Sequence, residues 1–322
     1  MTSLIQLGNQ ALSGRHAKAT PVVISVTPSN WPPTDAAGIL AIKADVIPGL
    51  SESDIGKVAD NLIASFSPAQ LKLFTPTQIS QFKTTQIAAM SVTQLNALSA
   101  AQVGAMKEGQ INALTDDQIA GIKGSQIGAI SSTVFAKADE HLISSLNSAQ
   151  VQALTTAQLK DLVESQISYL KTEQIASLTA KQMEGFEAAD LQAFSTDQIV
   201  ALNSTQIVGL SATQLASLTT EQIAAIESID VKALTTAQVQ ALSAEQIGAL
   251  DVNQIMAMSD LQIGAIGLTG GDNAGIKGLK PEQIQALSKA QLAGLKPAHI
   301  SALDTDQVKS CLLYTSPSPR DS

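Results

Sequence analysis

The stretch LTTAQVQALSAEQIGA, residues 234–249, is one eight-residue pattern written twice, and its reading decides the fold. The pattern is L-[S/T]-x-x-Q-[I/V/L]-x-A. It stands again at FTPTQISQ, residues 74–81, in the same frame. From Phe66 a large apolar residue recurs at every eighth position to Met258, with Ala138 the one small exception. After an interruption the frame resumes at Leu279, Leu287, Leu295 and Leu303. Fixed self-similarity of this kind specifies a repeat array.

Count the octad from its large apolar residue as position one. Position two is mostly Ser or Thr and position five is nearly always Gln, which is the spacing of a capping box. The hydroxyl accepts from the backbone N–H three residues on, and the Gln reaches back to the N–H of the capping residue. The pairs Thr75 with Gln78, Thr219 with Gln222, Thr235 with Gln238 and Ser243 with Gln246 carry this signature. Of 27 well-formed octads, 24 have Gln at position five, so a helix is expected to start every eight residues. The exceptions are Asp190, Asp230 and His299. The two carboxylates keep the ability to accept from a backbone N–H, and His299 reads as a polar cap substitute. Pro68, Pro76, Pro281 and Pro297 each follow a cap, at the first helical position, where proline fits.

The predicted fold is all-α: a solenoid or superhelix of short two-turn helices, one per octad, running from position three to the next position one. Position six and the next position one share a helix face, and Ala or Gly at position eight lets a neighbouring backbone come close. One continuous helix fails, because eight residues advance the face by roughly 800°, about 80° past two full turns. Coiled coils need periods near seven or eleven. A β-solenoid is the serious alternative, since eight is even and strands have period two. The Ala, Gln, Leu and Glu content of the octads favours helix over strand. A single octad buries too little apolar surface to offset the entropy of ordering it, so stability has to come from stacking on neighbours.

Composition narrows the function. The chain is 44% hydrophobic but only 3% aromatic, which suits a thin repetitive core better than an enzyme of this size. The net charge is −9, with Lys and acidic residues interspersed and no basic patch, which argues against nucleic-acid binding. No stretch reaches the roughly 18 apolar residues of a membrane span, and the first residues lack the pattern of a Sec-type signal peptide.

Along the chain, residues 1–33 read as a weakly structured lead, with one strand expected at 22–28 and a Pro32-Pro33 turn. Residues 34–65 carry the octad frame in degenerate form, as expected of an N-terminal cap, and residues 66–265 form the main array. ISSTVFAK and ADEHLISS, residues 130–145, are degenerate units read as changing the local twist. Residues 266–278 are a Gly-rich loop insertion, and 279–310 return to the octad. Residues 311–322 break the frame. Their string CLLYTSPSPRD resembles a translated sequencing adapter, so this tail is expected to be non-native, with the chain truncated and its one Cys, Cys311, not its own.

Chemistry-bearing motifs are sparse. There is no GxSxG, no Walker-type loop and no HExxH. His16, His141 and His299 lie far apart without a second ligand at metal spacing. Asp272 and Asn273, in the Gly-rich insertion, are the weak metal candidates, too few in oxygen ligands for calcium. No catalytic residue, cofactor or resident metal is expected.

The tandem LTxxQIxAL octads, residues 50–310, resemble repeat tracts in very large bacterial surface or secreted proteins, adhesin-like and associated with type I secretion. The calcium-binding nonapeptides common in such proteins are missing here, as is their C-terminal secretion signal. The resemblance implies a non-enzymatic stalk, spacer or adhesion surface of a larger exported protein, extracellular or at the cell surface, with a cytoplasmic location as the alternative. The second expectation is a scaffold binding a protein or glycan through the variable positions three, four and seven.

Overall fold

The computed structural model describes residues 31–267 and 274–312, with side chains placed for 31–267 and 275–310. The lead before Trp31, with its expected strand, lies outside the described residues, as do residues 268–273 and the tail beyond Leu312. Among the described residues the chain is all-helical and holds no strand, so the β-solenoid is eliminated. Helices follow the octad: Thr236–Ala241 and Ala244–Ala249 are successive units.

All the helices but the last, Thr305–Leu312 with 8 residues, are shorter than the two turns expected. Pro76–Ile79 has 4 residues and Thr236–Ala241 has 6. The helix closes before position one, because that residue and the cap after it are both extended. Leu242 has φ −70 and ψ 137, and Ser243 has φ −72 and ψ 167. A capping residue needs extended backbone to aim its side chain at the next turn of N–H groups. Leu242 N–H still reaches the Val239 carbonyl at 3.2 Å, a tight 3-10-type closure. Each octad is therefore a short helix plus a two-residue corner.

That corner puts position one and position six in one core. Val239 is fully buried and Leu242 nearly so. Position-one side chains of successive octads touch one another: the rings of Phe66 and Phe74 are 5.5 Å apart and those of Phe74 and Phe82 are 5.2 Å apart, edge to face. Phe186 and Phe194 repeat the arrangement at 5.2 Å. Helices meet across turns at a spacing of three octads. Ala212–Ala216 packs on Thr236–Ala241, and Ser228–Ala233 on Val252–Ala257. Contacts between neighbouring turns alone make the array quasi-one-dimensional.

At the N-terminal end the frame is carried by Ala36–Leu40, Glu52–Lys57 and two 3-10 segments, Ile47–Gly49 and Asp60–Ser65. Trp31 donates its indole N–H to the Asp54 carbonyl at 3.0 Å and packs on the core. Within the insertion, Gly267 adopts φ 67, a conformation that glycine tolerates, and its backbone lies close against Gly275.

Candidate functional site

The residue that organises this molecule is the position-five glutamine, through both ends of its amide. Thr235 N–H donates to Gln238 Oε1 at 2.9 Å, and Gln238 N–H donates to Thr235 Oγ1 at 3.2 Å. The same reciprocal pair joins Thr75 with Gln78, Thr219 with Gln222 and Ser243 with Gln246. Gln238 Nε2 then donates across the turn, to the carbonyls of Ile207 and Leu210, both at 2.8 Å. Those partners lie 31 and 28 residues earlier.

This arrangement recurs from Gln70, which reaches Ile39 and Ile42, to Gln307, which reaches Ile276, Lys277 and Leu279. All but Gln214 of these side chains are buried, so a ladder of amides, interrupted where position five holds another residue, fastens turn to turn inside the molecule. The Gly-rich insertion leaves the ladder in register. Gln283 donates to Ile247 and Leu250, now 36 and 33 residues back, so the same turns meet across the insertion as elsewhere.

Sequence reasoning identified the cap and missed the cross-turn donor. A signal was present: a capping box takes Glu as readily as Gln, yet none of the 27 octads has Glu at position five. A carboxylate can accept from the cap but cannot donate to two carbonyls. Where position two is Lys83, Lys107 or Lys171, the Gln half of the box persists, with Lys83 N–H to Gln86 Oε1 at 2.9 Å. The glutamine is therefore less replaceable than the hydroxyl.

The three exceptions behave as their chemistry dictates. Asp190 accepts from Glu187 N–H at 2.7 Å. Its carboxyl is pushed above the ordinary range chiefly by burial, with Glu187 adding repulsion and the bond from the Glu187 backbone opposing both. A folded value above the unfolded one means stability that is present in acid and lost as pH rises through the raised value. Asp190→Gln is accordingly expected to stabilise the array at pH 7 by roughly 1 kcal/mol, with the gain shrinking in acid. Urea melts at pH 7 and pH 3 measure it, and an unchanged midpoint at pH 7 counts against the ladder. Asp230 is buried and accepts from Ser204 Oγ at 2.5 Å, so the hydroxyl of an earlier turn supplies the donor. His299 accepts the Lys296 N–H at Nδ1, 3.1 Å, and its buried Nε2 has no partner among the described residues. Burial, aided by Lys296, holds its pKa below the usual histidine value.

The surface left to function is polar. Positions two and four are exposed, as Ser243 and Glu245 show. Glu221 and Glu245 are held below the usual carboxylate range by their own backbone N–H and by the hydroxyls of Thr219, Thr220 and Ser243. Position seven is partly taken up between turns: Asn96 donates to the Gly121 carbonyl at 2.8 Å, and Gln192 to that of Ser217 at 2.8 Å. Open grooves lie at corners between octads. One of about 630 Å³ runs along Ser144, Ser168, Tyr169, Lys171 and Ser195. Others are lined by Lys72 and Asn96, by Asn147 and Lys171, and by Gln240 and Gly264. These corners recur at three-octad spacing, the spacing that stacks helices, so the grooves follow one edge of the solenoid.

Among the described residues no group of His, Cys, Asp and Glu could hold a metal, and no helix is long and apolar enough to cross a membrane. Asp272 and Asn273 lie outside the described residues, as does His16. His141 pairs with Asp116 at 2.6 Å on the surface.

With this geometry in place, comparison with known proteins finds a tandem ALTTAQ repeat in three copies, at residues 143–180, 183–220 and 223–260. No curated protein matches the chain. The copies begin forty residues apart, five octads each, a longer period than the octad. ALTTAQ itself stands at 153–158 and 233–238, with AFSTDQ between them at 193–198, and Asp190 and Asp230 are likewise forty apart. Five octads is not a multiple of the three that stack, so equivalent residues of successive copies fall on different edges. Residues 143–260 are therefore a tandem repeat tract that matches the ALTTAQ repeat.

Proposed function

We propose that this chain is a non-enzymatic structural repeat module, a stalk or spacer within a larger exported bacterial protein at the cell surface. The observation that carries the reading is the glutamine ladder. The most regular polar side chain of the repeat is consumed in fastening one turn to the next, and most position-two hydroxyls are consumed as caps. What remains outside is a solvated polar surface with no converging reactive groups among the described residues. A spacer needs length without bulk. With stacked helices three octads apart, rungs joining residues 28–31 apart and about 10 Å of rise per helix layer, the described array is a rod of about nine to eleven turns. Its expected radius of gyration is about 28 Å, against about 20 Å for a compact domain of the same length. Small-angle scattering decides between these values, and the compact one ends the spacer reading. Export is tested separately, by surface labelling of the native cells.

The grooved edge favours a second reading, a scaffold that takes a protein or glycan partner along that edge. It predicts that charge-reversing substitutions at Lys171 and Glu173 disturb binding, while the same changes at Lys232 and Glu227, which lie off the three-octad series of the grooves, do not. Equal effects from both sets would remove it.

A further inference from the structure

Between Gln70 and Gln262, only one pair of consecutive octads lacks an amide at position five. Those are the degenerate units of residues 130–145, which place Val134 and Leu142 there. By the register of the ladder, a glutamine at the first of these positions would serve the carbonyls of Val103 and Met106, and one at the second those of Ile111 and Leu114. Neither apolar side chain can donate. The next units resume the pattern, with Gln150 reaching Ile119 and Ile122, so the gap is confined to two rungs.

The same two interfaces are bridged from outside instead. Lys137 pairs with Glu108 at 3.3 Å, and His141 with Asp116 at 2.6 Å, each across three octads. Asn112 donates to the Lys137 carbonyl at 3.0 Å and accepts the Asp139 N–H at 3.2 Å, a donor that a position-five glutamine takes elsewhere. All four partners are substantially solvent-exposed. Exposed pairs contribute little and are screened by salt, whereas buried amides are not.

We propose that residues 130–145 form a compliant joint in the solenoid, where turn-to-turn cohesion passes from the buried amide ladder to exposed, salt-screened contacts. On either side the ladder is broken only at single units, those of Asp190, Asp230 and His299, so the array behaves as two stiffer blocks meeting at this joint. Opening here breaks surface pairs rather than buried hydrogen bonds, and its frequency rises with ionic strength.

Hydrogen exchange of the full chain, read by mass spectrometry at low salt and at about 1 M NaCl, tests the proposal. Segments 103–114 and 130–145 are expected to exchange roughly tenfold faster than the octad-equivalent segments 207–218 and 234–249, and faster still in salt. Val134→Gln with Leu142→Gln restores both rungs and is expected to bring exchange at the joint to the level of its neighbours. Glu108→Gln with Asp116→Asn leaves the core untouched and is expected to raise low-salt exchange to the high-salt rate. Equal protection of the two regions in the natural chain overturns the proposal. So does a surface variant that exchanges no faster than the natural chain at low salt.

Discussion

Gln238→Glu lowers the stability of the array by about 3–5 kcal/mol at neutral pH, although the substitution is nearly isosteric and a capping box accepts either residue. The reason lies in the far end of the side chain. Gln238 Nε2 sits 2.8 Å from the carbonyl oxygens of Ile207 and Leu210, in a buried position. A carboxylate there keeps the Thr235 N–H but faces two acceptors with a third, charged, acceptor. Gln238→Leu removes the polar end altogether and is expected to cost less, about 1–3 kcal/mol. Thr235→Ala loses the hydroxyl that accepts from Gln238 N–H and donates to Gln238 Oε1, and costs about 1 kcal/mol. The order of the three variants is the discriminating result.

The pH dependence sharpens the test. Burial against carbonyls raises the pKa of the introduced carboxyl in the folded state above its unfolded value of about 4.3. The contribution to stability is then present below the unfolded value and lost as pH rises through the folded one. Once protonated, the introduced carboxyl regains a single donor, so the deficit of Gln238→Glu shrinks on acidification while that of Gln238→Leu does not. Urea unfolding followed by circular dichroism at pH 7 and pH 4 reads both variants. If Gln238→Glu matches Thr235→Ala at pH 7, the glutamine is a cap and nothing more.

What could be read from the sequence was whatever closes within one octad. The cap pair Thr235 and Gln238 are three residues apart, and Val239 and Leu242 share a face by local geometry, so helix starts and core positions follow from spacing alone. The stacking of every third octad is a different kind of fact. Gln238 meets the carbonyls of Ile207 and Leu210, and backbone carbonyls have no letter in the sequence. The absence of Glu from position five was the one written trace of that contact. Asp230 shows the same limit. Its donor, Ser204, stands at a variable position 26 residues earlier, and nothing local pairs the two. The corner at position one was also hidden. The need of the cap for extended backbone propagates one residue upstream, which shortens the helices of the array below the expected two turns wherever another octad follows. The forty-residue period was legible in principle, at ALTTAQ 153–158 and 233–238, but the strength of the octad masks it.

The same octad position gives opposite signs in two glycine substitutions, because only one of the two faces another turn. Gly104 and Gly56 both stand at position seven, inside the helices Ala100–Gly104 and Glu52–Lys57. A Cβ on Gly104 would lie 2.5 Å from the Ala129 carbonyl oxygen and 3.3 Å from its carbon. That oxygen is backbone of the turn above, and backbone cannot swing aside as a side-chain end can. A Cβ on Gly56 meets nothing within 4 Å. Gly→Ala raises helix propensity by about 0.5–1 kcal/mol where the site is open, so Gly56→Ala is expected to stabilise by that amount. Gly104→Ala gains the same propensity but forces two turns apart, at an overpacking cost of about 1–3 kcal/mol, and the net is destabilising. The separation is resisted by the ladder, since Gln126 and Gln102 hold the adjacent turns by their amides. Thermal unfolding of the two single variants settles the matter: midpoints shifted in opposite directions support turn contact at position seven. A rise in both would mean that the turns have room there, and that the close packing of helices three octads apart is looser than these distances state.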